Sequence, residues 1–313
     1  MVVKIKQANK SIQLMGTTID LSVTQENPER VLLELVSLLQ LYEQRFSAND
    51  CQSELSQINH QAGIQPVVVH PELYELIKIG KTHSLAPNSY LNIALGPLVQ
   101  TWRIGFDNAR VPSNSEIKEL LKITNPNHIH INEETHSVFL SKLGMKIDLG
   151  ALAKGYIADR LLDYLAEVKA TSALVNLGGN IVTYGPALNR ADRLWRIGIQ
   201  NPVKDRGNSK IILTLPNKSI VTSGVYERNL TIQGKSFHHI FNPKTGYPIE
   251  TDLASLTIVS NQSVDGEIWT TRLFGQTAKQ IVESLNQIAD IDGLVLTNQG
   301  DIYHSTGMKR FML

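Results

Sequence analysis

The sequence predicts an α+β fold of mixed β-sheets with flanking helices, arranged as two closely packed lobes of one compact body. Three observations predict it. Apolar residues fall at helical spacing in long stretches of the first half. After Ala170 the pattern changes to short apolar runs separated by Gly, Pro or Asn, which is how strands and turns read. No low-complexity linker and no repeat of roughly 20–50 residues separates the halves. A chain of 313 residues suffices for about two domains or one large one, and without a linker the expectation is a single domain over 1–313, with lobes near 1–170 and 171–313.

Taken in order, Met15 to Val23 alternates as a strand. Glu26 to Arg45 carries Val31, Leu32, Leu35, Leu38, Leu39 and Tyr42 on one side and predicts an amphipathic helix. A second helix is expected from Pro71 to His83, giving the order strand, helix, loop, helix. His128 to Leu140 reads as two strands around a polar turn at Asn132 to Thr135. Gly155 to Val168 returns to helical period, with Ile157, Leu161, Leu162 and Leu165 on its apolar side. Beyond it, ALVNL, LWRIGI, KIILTL, SIVTSG, LASLTIVS and GLVLTN predict strands, interrupted by one helix from Val264 to about Ala289 that breaks or bends near Gly275.

Composition excludes several function classes. Lys plus Arg number 30 against 29 Asp plus Glu, so no basic field exists to drive binding to nucleic acid or an anionic membrane surface. The single cysteine, Cys51, can form neither an internal disulfide nor a multi-cysteine zinc site, and acidic neighbours Asp50 and Glu54 do not activate its thiol. Lys4, Lys6 and Lys10 interrupt the apolar residues of the N-terminal stretch, and no segment reaches the roughly 20 apolar residues of a membrane span. The expectation is a cytoplasmic protein without a membrane anchor. Gly80-Lys81-Thr82 imitates the end of a phosphate loop, but Glu75 stands where its first glycine belongs, and no G-x-G-x-x-G occurs. His128 and His130 share a strand face without a third ligand near in sequence, which reads as surface histidines.

Four clusters carry chemistry. In Asp148-Leu149-Gly150-Ala151-Leu152-Ala153-Lys154-Gly155-Tyr156 a carboxylate precedes small residues that open a helix. Small residues let a ligand approach the backbone, helix-start amides attract phosphate, and Lys154 adds positive charge. Asn176-Leu177-Gly178-Gly179-Asn180 ends a strand in paired glycines, which read by themselves are a simple hairpin or bulge. Val221-Thr222-Ser223-Gly224 is followed by His238-His239-Ile240-Phe241 and the plain turn sequence Asn242-Pro243-Lys244-Thr245-Gly246; His239 stands just before that turn, where a strand end can aim an imidazole into a cleft. In the fourth, Glu267 and Thr271 stand four apart on one helix face, a hard-oxygen pair of the kind Mg²⁺ accepts. The alternative there is a helix start with Asp265 as cap and Glu267 favourable to the dipole.

In this order the clusters resemble the ApbE family, the FAD:protein FMN transferases. The family's D-L-G-G-I-A-K-G-Y reads DLGALAKGY, its A-L-V-N-L-G-G-N is Ala173 to Asn180, its T-S-G-x-Y-E-R is Thr222 to Arg228, and its H-H-I-x-D-P-x-T-G is His238 to Gly246. The likeness runs from Met15-Gly16-Thr17 through Arg45-Phe46-Ser47, Ser53-Glu54-Leu55-Ser56 and Gly96-Pro97-Leu98-Val99 with Trp102 to Leu273-Phe274-Gly275. Asn replaces the family's Asp at 92 and 242, and Glu267 to Thr271 replaces its metal-binding Asp-x-x-x-Thr, two residues closer to Gly275. Aligning Asp265 instead would place Trp269, which cannot ligate, in the hydroxyl position.

The resemblance implies an Mg²⁺-dependent transfer of the FMN part of FAD to a Ser or Thr hydroxyl of an acceptor flavoprotein, releasing AMP. It further implies FAD contacts at Met15, Tyr90, Leu91, Asn92, Asp148, Lys154, Gly178, Gly179, Ser223, His239 and Ile240, and metal ligation by the Ala151 carbonyl, Glu267 and Thr271. His239, Asp148 and Lys154 would be catalytic, His239 being the expected proton acceptor and Asp148 its competitor. The acceptor is expected to be cytoplasmic, such as a reductase with an FMN-binding domain. FAD hydrolysis to FMN and AMP, and a flavin carrier without turnover, are the alternative readings.

Overall fold

The strand pattern that starts at Met15 belongs to the second arm of a hairpin. A computed structural model of the chain, which describes residues 5–205, 207–232 and 234–313, has β1 (Lys6–Leu14) turning into β2 (Thr17–Gln25). Lys4 lies outside the described residues. Met15 and Gly16 form the two-residue turn with φ of 53° and 68°, and Leu14 pairs with Thr17. Both positive φ values suit the right-handed twist of a tight hairpin. The strand therefore begins two residues later than the alternation implies.

The first half continues with α1 (Pro28–Phe46), α2 (Glu54–His60), β3 (Val67–Val68), α3 (Pro71–Ser84), α4 (Gly96–Trp102), α5 (Asn114–Leu121), β4 (Ile129–Asn132), β5 (Ser137–Leu140) and α6 (Ala153–Glu167). Pro28 opens α1 where a missing N–H costs nothing, and Val31, Leu32, Leu35, Leu39, Tyr42 and Phe46 form its buried stripe. An additional helix, α2, interrupts the expected strand, helix, loop, helix order; Ser53 caps it through the Ser56 amide.

The second half supplies β6 (Ser172–Leu177), β7 (Asn180–Tyr184), β8 (Trp195–Gln200), β9 (Ser209–Leu215), β10 (Ser219–Gly224), β11 (Asn229–Ile232), β12 (Lys235–His238), β13 (Leu253–Ser260), α7 (Ser263–Leu273), α8 (Ala278–Leu285), β14 (Asp292–Thr297) and β15 (Ile302–His304). The expected helix break near Gly275 falls between α7 and α8, where Thr277 and Gln280 form a capping box.

An antiparallel eight-stranded sheet, in the order β1-β2-β6-β7-β10-β13-β14-β15, joins both halves. The chain thus places its N-terminal hairpin beside strands from the second half. Alternate residues serve different cores, as the two-residue period of a strand requires. Val295 packs with Leu273, Phe274 and Ile281 on the helical face, whereas Leu294 and Leu296 pack with Ile197, Leu213 and Phe311 against the β8–β9 ribbon and C-terminal turn. The main core joins Ile19, Leu21 and Val23 of β2 to α1, α3 and α6. All eight residues of β13 are buried, which explains why LASLTIVS lacks an exposed polar face.

Candidate active site

Neighbouring turns place several predicted residues at one end of the large sheet. Gly178 and Gly179, with φ of 62° and 94°, link β6 to β7 and leave Leu177 paired with Asn180. A Cβ at Gly178 would lie 2.2 Å from Thr17 Oγ1, so the paired glycines fit directly against the Met15–Gly16 hairpin. Ser223 lies near the same end, because β10 pairs Val221 with Asn180. Glu43 from α1 accepts the Met15 amide at 2.7 Å and fixes the hairpin turn.

The segment before α6 brings the first cluster to that end. Asp148 accepts the Gly150 amide at 2.8 Å, while its own amide donates to the Ile93 carbonyl at 2.9 Å. Burial pushes the Asp148 carboxyl above its ordinary pKa, against the lowering effects of the Gly150 hydrogen bond and the Arg228 charge. Arg228 Nη2 also donates to the Gly16 carbonyl at 3.4 Å. The guanidinium therefore links the hairpin turn electrostatically to both Asp148 and His239.

His239 follows β12. Burial, then the charge of Arg228, pushes its pKa down to about 4, with a backbone hydrogen bond to Arg228 acting in the opposite direction. Its Nδ1 is buried without a hydrogen-bond partner among the described residues. The imidazole is neutral at physiological pH and has one ring nitrogen uncommitted. The desolvated position accounts for the difference from the value near 6.5 of an exposed imidazole.

Glu267 is only 4 % exposed and sits where α6 and α7 cross. Asn180 Nδ2 donates to its Oε1 at 2.9 Å, and Lys154 Nζ lies 3.8 Å from that oxygen. Gly155 makes the crossing possible, since a Cβ there would stand 2.6 Å from the Ser263 carbonyl oxygen and 2.7 Å from Glu267 Cγ. Asp265 is not the α7 cap. Gln262 occupies that position, and Asp159 of α6 accepts the Ser263 and Val264 amides at 2.6 and 2.9 Å. The first-turn amides are satisfied from another helix, which sequence spacing does not reveal.

Among the described residues, the Ala151 carbonyl, Glu267 Oε2 and Thr271 Oγ1 have no hydrogen-bond partner. Three uncommitted hard oxygens, one from a carboxylate, suit the donor chemistry of Mg²⁺. No group of three His, Cys, Asp or Glu side chains that could hold a metal occurs among the described residues, so an ion here would depend on carbonyl and hydroxyl donors as well as Glu267.

Other predicted positions lie against protein. The Leu91 side chain is 1 % exposed, and both amide groups of Asn92 are engaged, with the Thr124 carbonyl at 2.9 Å and the Ala94 amide at 2.8 Å. Ile240 and Tyr90 pack, partly buried, against the core cluster that contains Phe274. Tyr90 is held against Gly275, where a Cβ would come within 2.1 Å of the Tyr90 ring. Glu43, Asn180 and Arg228 receive no chemical role from sequence alone, although Asn180 and Arg228 close two of the motifs. His128 is half-buried and His130 exposed, and Cys51 is an exposed free thiol.

The ApbE family model matches residues 15–295. A FAD:protein FMN transferase from Klebsiella pneumoniae is 41% identical over 296 residues, covering 95% of this chain and 91% of the relative. Its counterpart from Treponema pallidum is 33% identical over 320 residues, covering 97% and 88%. The crystal structure of the ApbE protein from Thermotoga maritima superposes with a TM-score of 0.90 at 27% identity, covering 98% of this chain and 100% of the other.

Proposed function

The chain belongs to the ApbE family, and on that premise we propose that it transfers the FMN portion of FAD to a Ser or Thr hydroxyl of an acceptor flavoprotein, releasing AMP. The observation carrying this reading is the chain of charges in which Arg228 acts on both Asp148 and His239, Lys154 acts on His239 and lies 3.8 Å from Glu267, and Glu267 keeps one carboxylate oxygen uncommitted. Bound by those three oxygens, Mg²⁺ would neutralise charge on the FAD diphosphate. Lys154 and Arg228 supply protein cations to the same task.

In this reaction the acceptor oxygen attacks the phosphorus of the FMN phosphate. The new phosphoester forms as the P–O bond to the AMP phosphate breaks, so the isoalloxazine ring is unchanged and AMP carries away the bridging oxygen. His239 Nδ1 takes the hydroxyl proton, being neutral and without another partner among the described residues. Asp148 is the less suitable base because its Oδ1 is engaged by Gly150. Met15, Gly178, Gly179 and Ser223 are proposed to border FAD at the sheet end, Tyr90 through its ring, and Leu91, Asn92 and Ile240 through backbone atoms. Among the described residues no helix is long and apolar enough to cross a membrane, and the acceptor we favour is a cytoplasmic flavoprotein presenting an exposed hydroxyl.

The test combines the full chain, FAD, Mg²⁺ and a flavoprotein acceptor domain. AMP should accumulate in step with an acceptor mass gain equal to FMN minus water at one Ser or Thr. Free FMN with an unmodified acceptor would instead establish hydrolysis, and attachment through the flavin ring would exclude phosphoester transfer.

A further inference from the structure

We infer that Asn180 is a positioning residue for Glu267, fixing one carboxylate oxygen to the protein so that only the other is presented to the cation. This inference rests on the proposed metal role of Glu267. Asn180 is 1 % exposed and begins β7 immediately after the paired-glycine turn. Its main chain is held between Leu177 of β6 and Val221 of β10. Its side chain reaches α7 twice: Nδ2 donates to Glu267 Oε1 at 2.9 Å, and Oδ1 accepts from Ser263 Oγ at 2.7 Å.

The two bonds fix the orientation of the amide. Rotating it by half a turn would set Oδ1 against the Glu267 carboxylate, an acceptor facing an acceptor, and give Nδ2 to Ser263. The acceptor-only Glu267 carboxylate therefore selects the orientation, and the Ser263 hydroxyl, which can donate or accept, completes it by donating to Oδ1. With Oε1 engaged by Asn180 and facing Lys154, Oε2 is the carboxylate oxygen left without a partner among the described residues. Glu267 would then meet a cation through one oxygen. The longer side chain of glutamate, which has one more rotatable bond than aspartate, makes such anchoring more consequential. Groups that orient metal ligands in this manner commonly contribute 10–100-fold to metal affinity.

Mn²⁺ binding to the full chain, followed by its electron paramagnetic resonance signal with and without saturating FAD, tests the inference. The wild type should show a saturable site that Glu267→Gln removes. Asn180→Leu should weaken that site by roughly 10–100-fold, and Ser263→Ala should weaken it less while leaving both residues of the pair in place. Thermal unfolding of each variant reports its fold, and Asn180→Asp serves as an isosteric second variant that removes the donor. Unaltered Mn²⁺ affinity in folded Asn180→Asp and Ser263→Ala proteins would overturn the positioning role while leaving the metal reading intact. A wild type with no Glu267-dependent Mn²⁺ site would overturn both. A lowered unfolding temperature without a change in Mn²⁺ affinity would identify the amide as purely structural.

Discussion

His239 resists protonation because its imidazolium would be both desolvated and close to the Arg228 guanidinium. Its native pKa of about 4 lies below the roughly 6.5 of an exposed histidine. Between these values the unfolded chain binds more protons at this residue than the native one does, so its contribution to stability rises with pH. Below about pH 4 both states are protonated and the penalty is fully developed. Asp159 has the opposite sign: burial pushes it up to about 6, the native state holds the extra proton, and stability from this group falls as pH rises through that window. Total stability consequently hides both effects. Relative to wild type, His239→Asn should gain ~2 kcal/mol between pH 7 and pH 4.5, measured from urea unfolding at each pH. A constant difference between the two proteins would show that His239 keeps an ordinary pKa. For catalysis the same displacement places the His239 limb of kcat/KM near pH 4 and not near 6.5.

The two helices that cross at Gly155 illustrate how an element acquires its function from a neighbour. Asp159 on α6 accepts the first amides of α7, and α7 in turn carries Glu267 and Thr271. Asp159→Ala should destabilise the protein by about 1–2 kcal/mol, the usual cost of losing a helix cap, whereas Asp265→Asn should remain within about 0.5 kcal/mol. Chemical denaturation of both variants checks the order; the reverse result would restore Asp265 as the cap. Spacing along α7 suffices to pair Glu267 with Thr271, because residues four apart share a helix face. It does not identify the cap, whose partner comes from more than a hundred residues away. The same distinction holds elsewhere. Helices α1, α3 and α6 have long apolar stripes and are legible, while β1, with the polar sequence KQANKSIQL, and α2, with only seven residues, lack a strong period. The motifs identify His239, Asp148 and Lys154, but the uncommitted Nδ1 and the Asn180–Glu267 hydrogen bond exist only after distant segments meet.

Across the whole molecule, the shared sheet determines how the site responds to losing its ligands. β2 from the first half pairs with β6 from the second, and their junction carries the Met15–Gly16 and Gly178–Gly179 turns. A transition that separated the halves would break this strand pairing and open the core between β2 and α6. We therefore expect a single cooperative unfolding transition. The oxygens proposed to bind the metal are held by that same framework. Glu267 is fixed by Asn180, Gly155 lets α6 meet α7, and Asp159 secures the start of α7. Each of these contacts joins one protein group to another, so chelation should abolish turnover without melting the fold. Lys154 at 3.8 Å from Glu267 supplies a neighbouring positive charge that moderates the cost of leaving the carboxylate without an ion. The expected result in excess chelator is an unchanged far-ultraviolet circular dichroism spectrum, one thermal transition, and retained FAD binding with no AMP release. Loss of secondary structure, or separation into two transitions, would show that the metal is part of the scaffold; continued AMP release would remove it from the reaction.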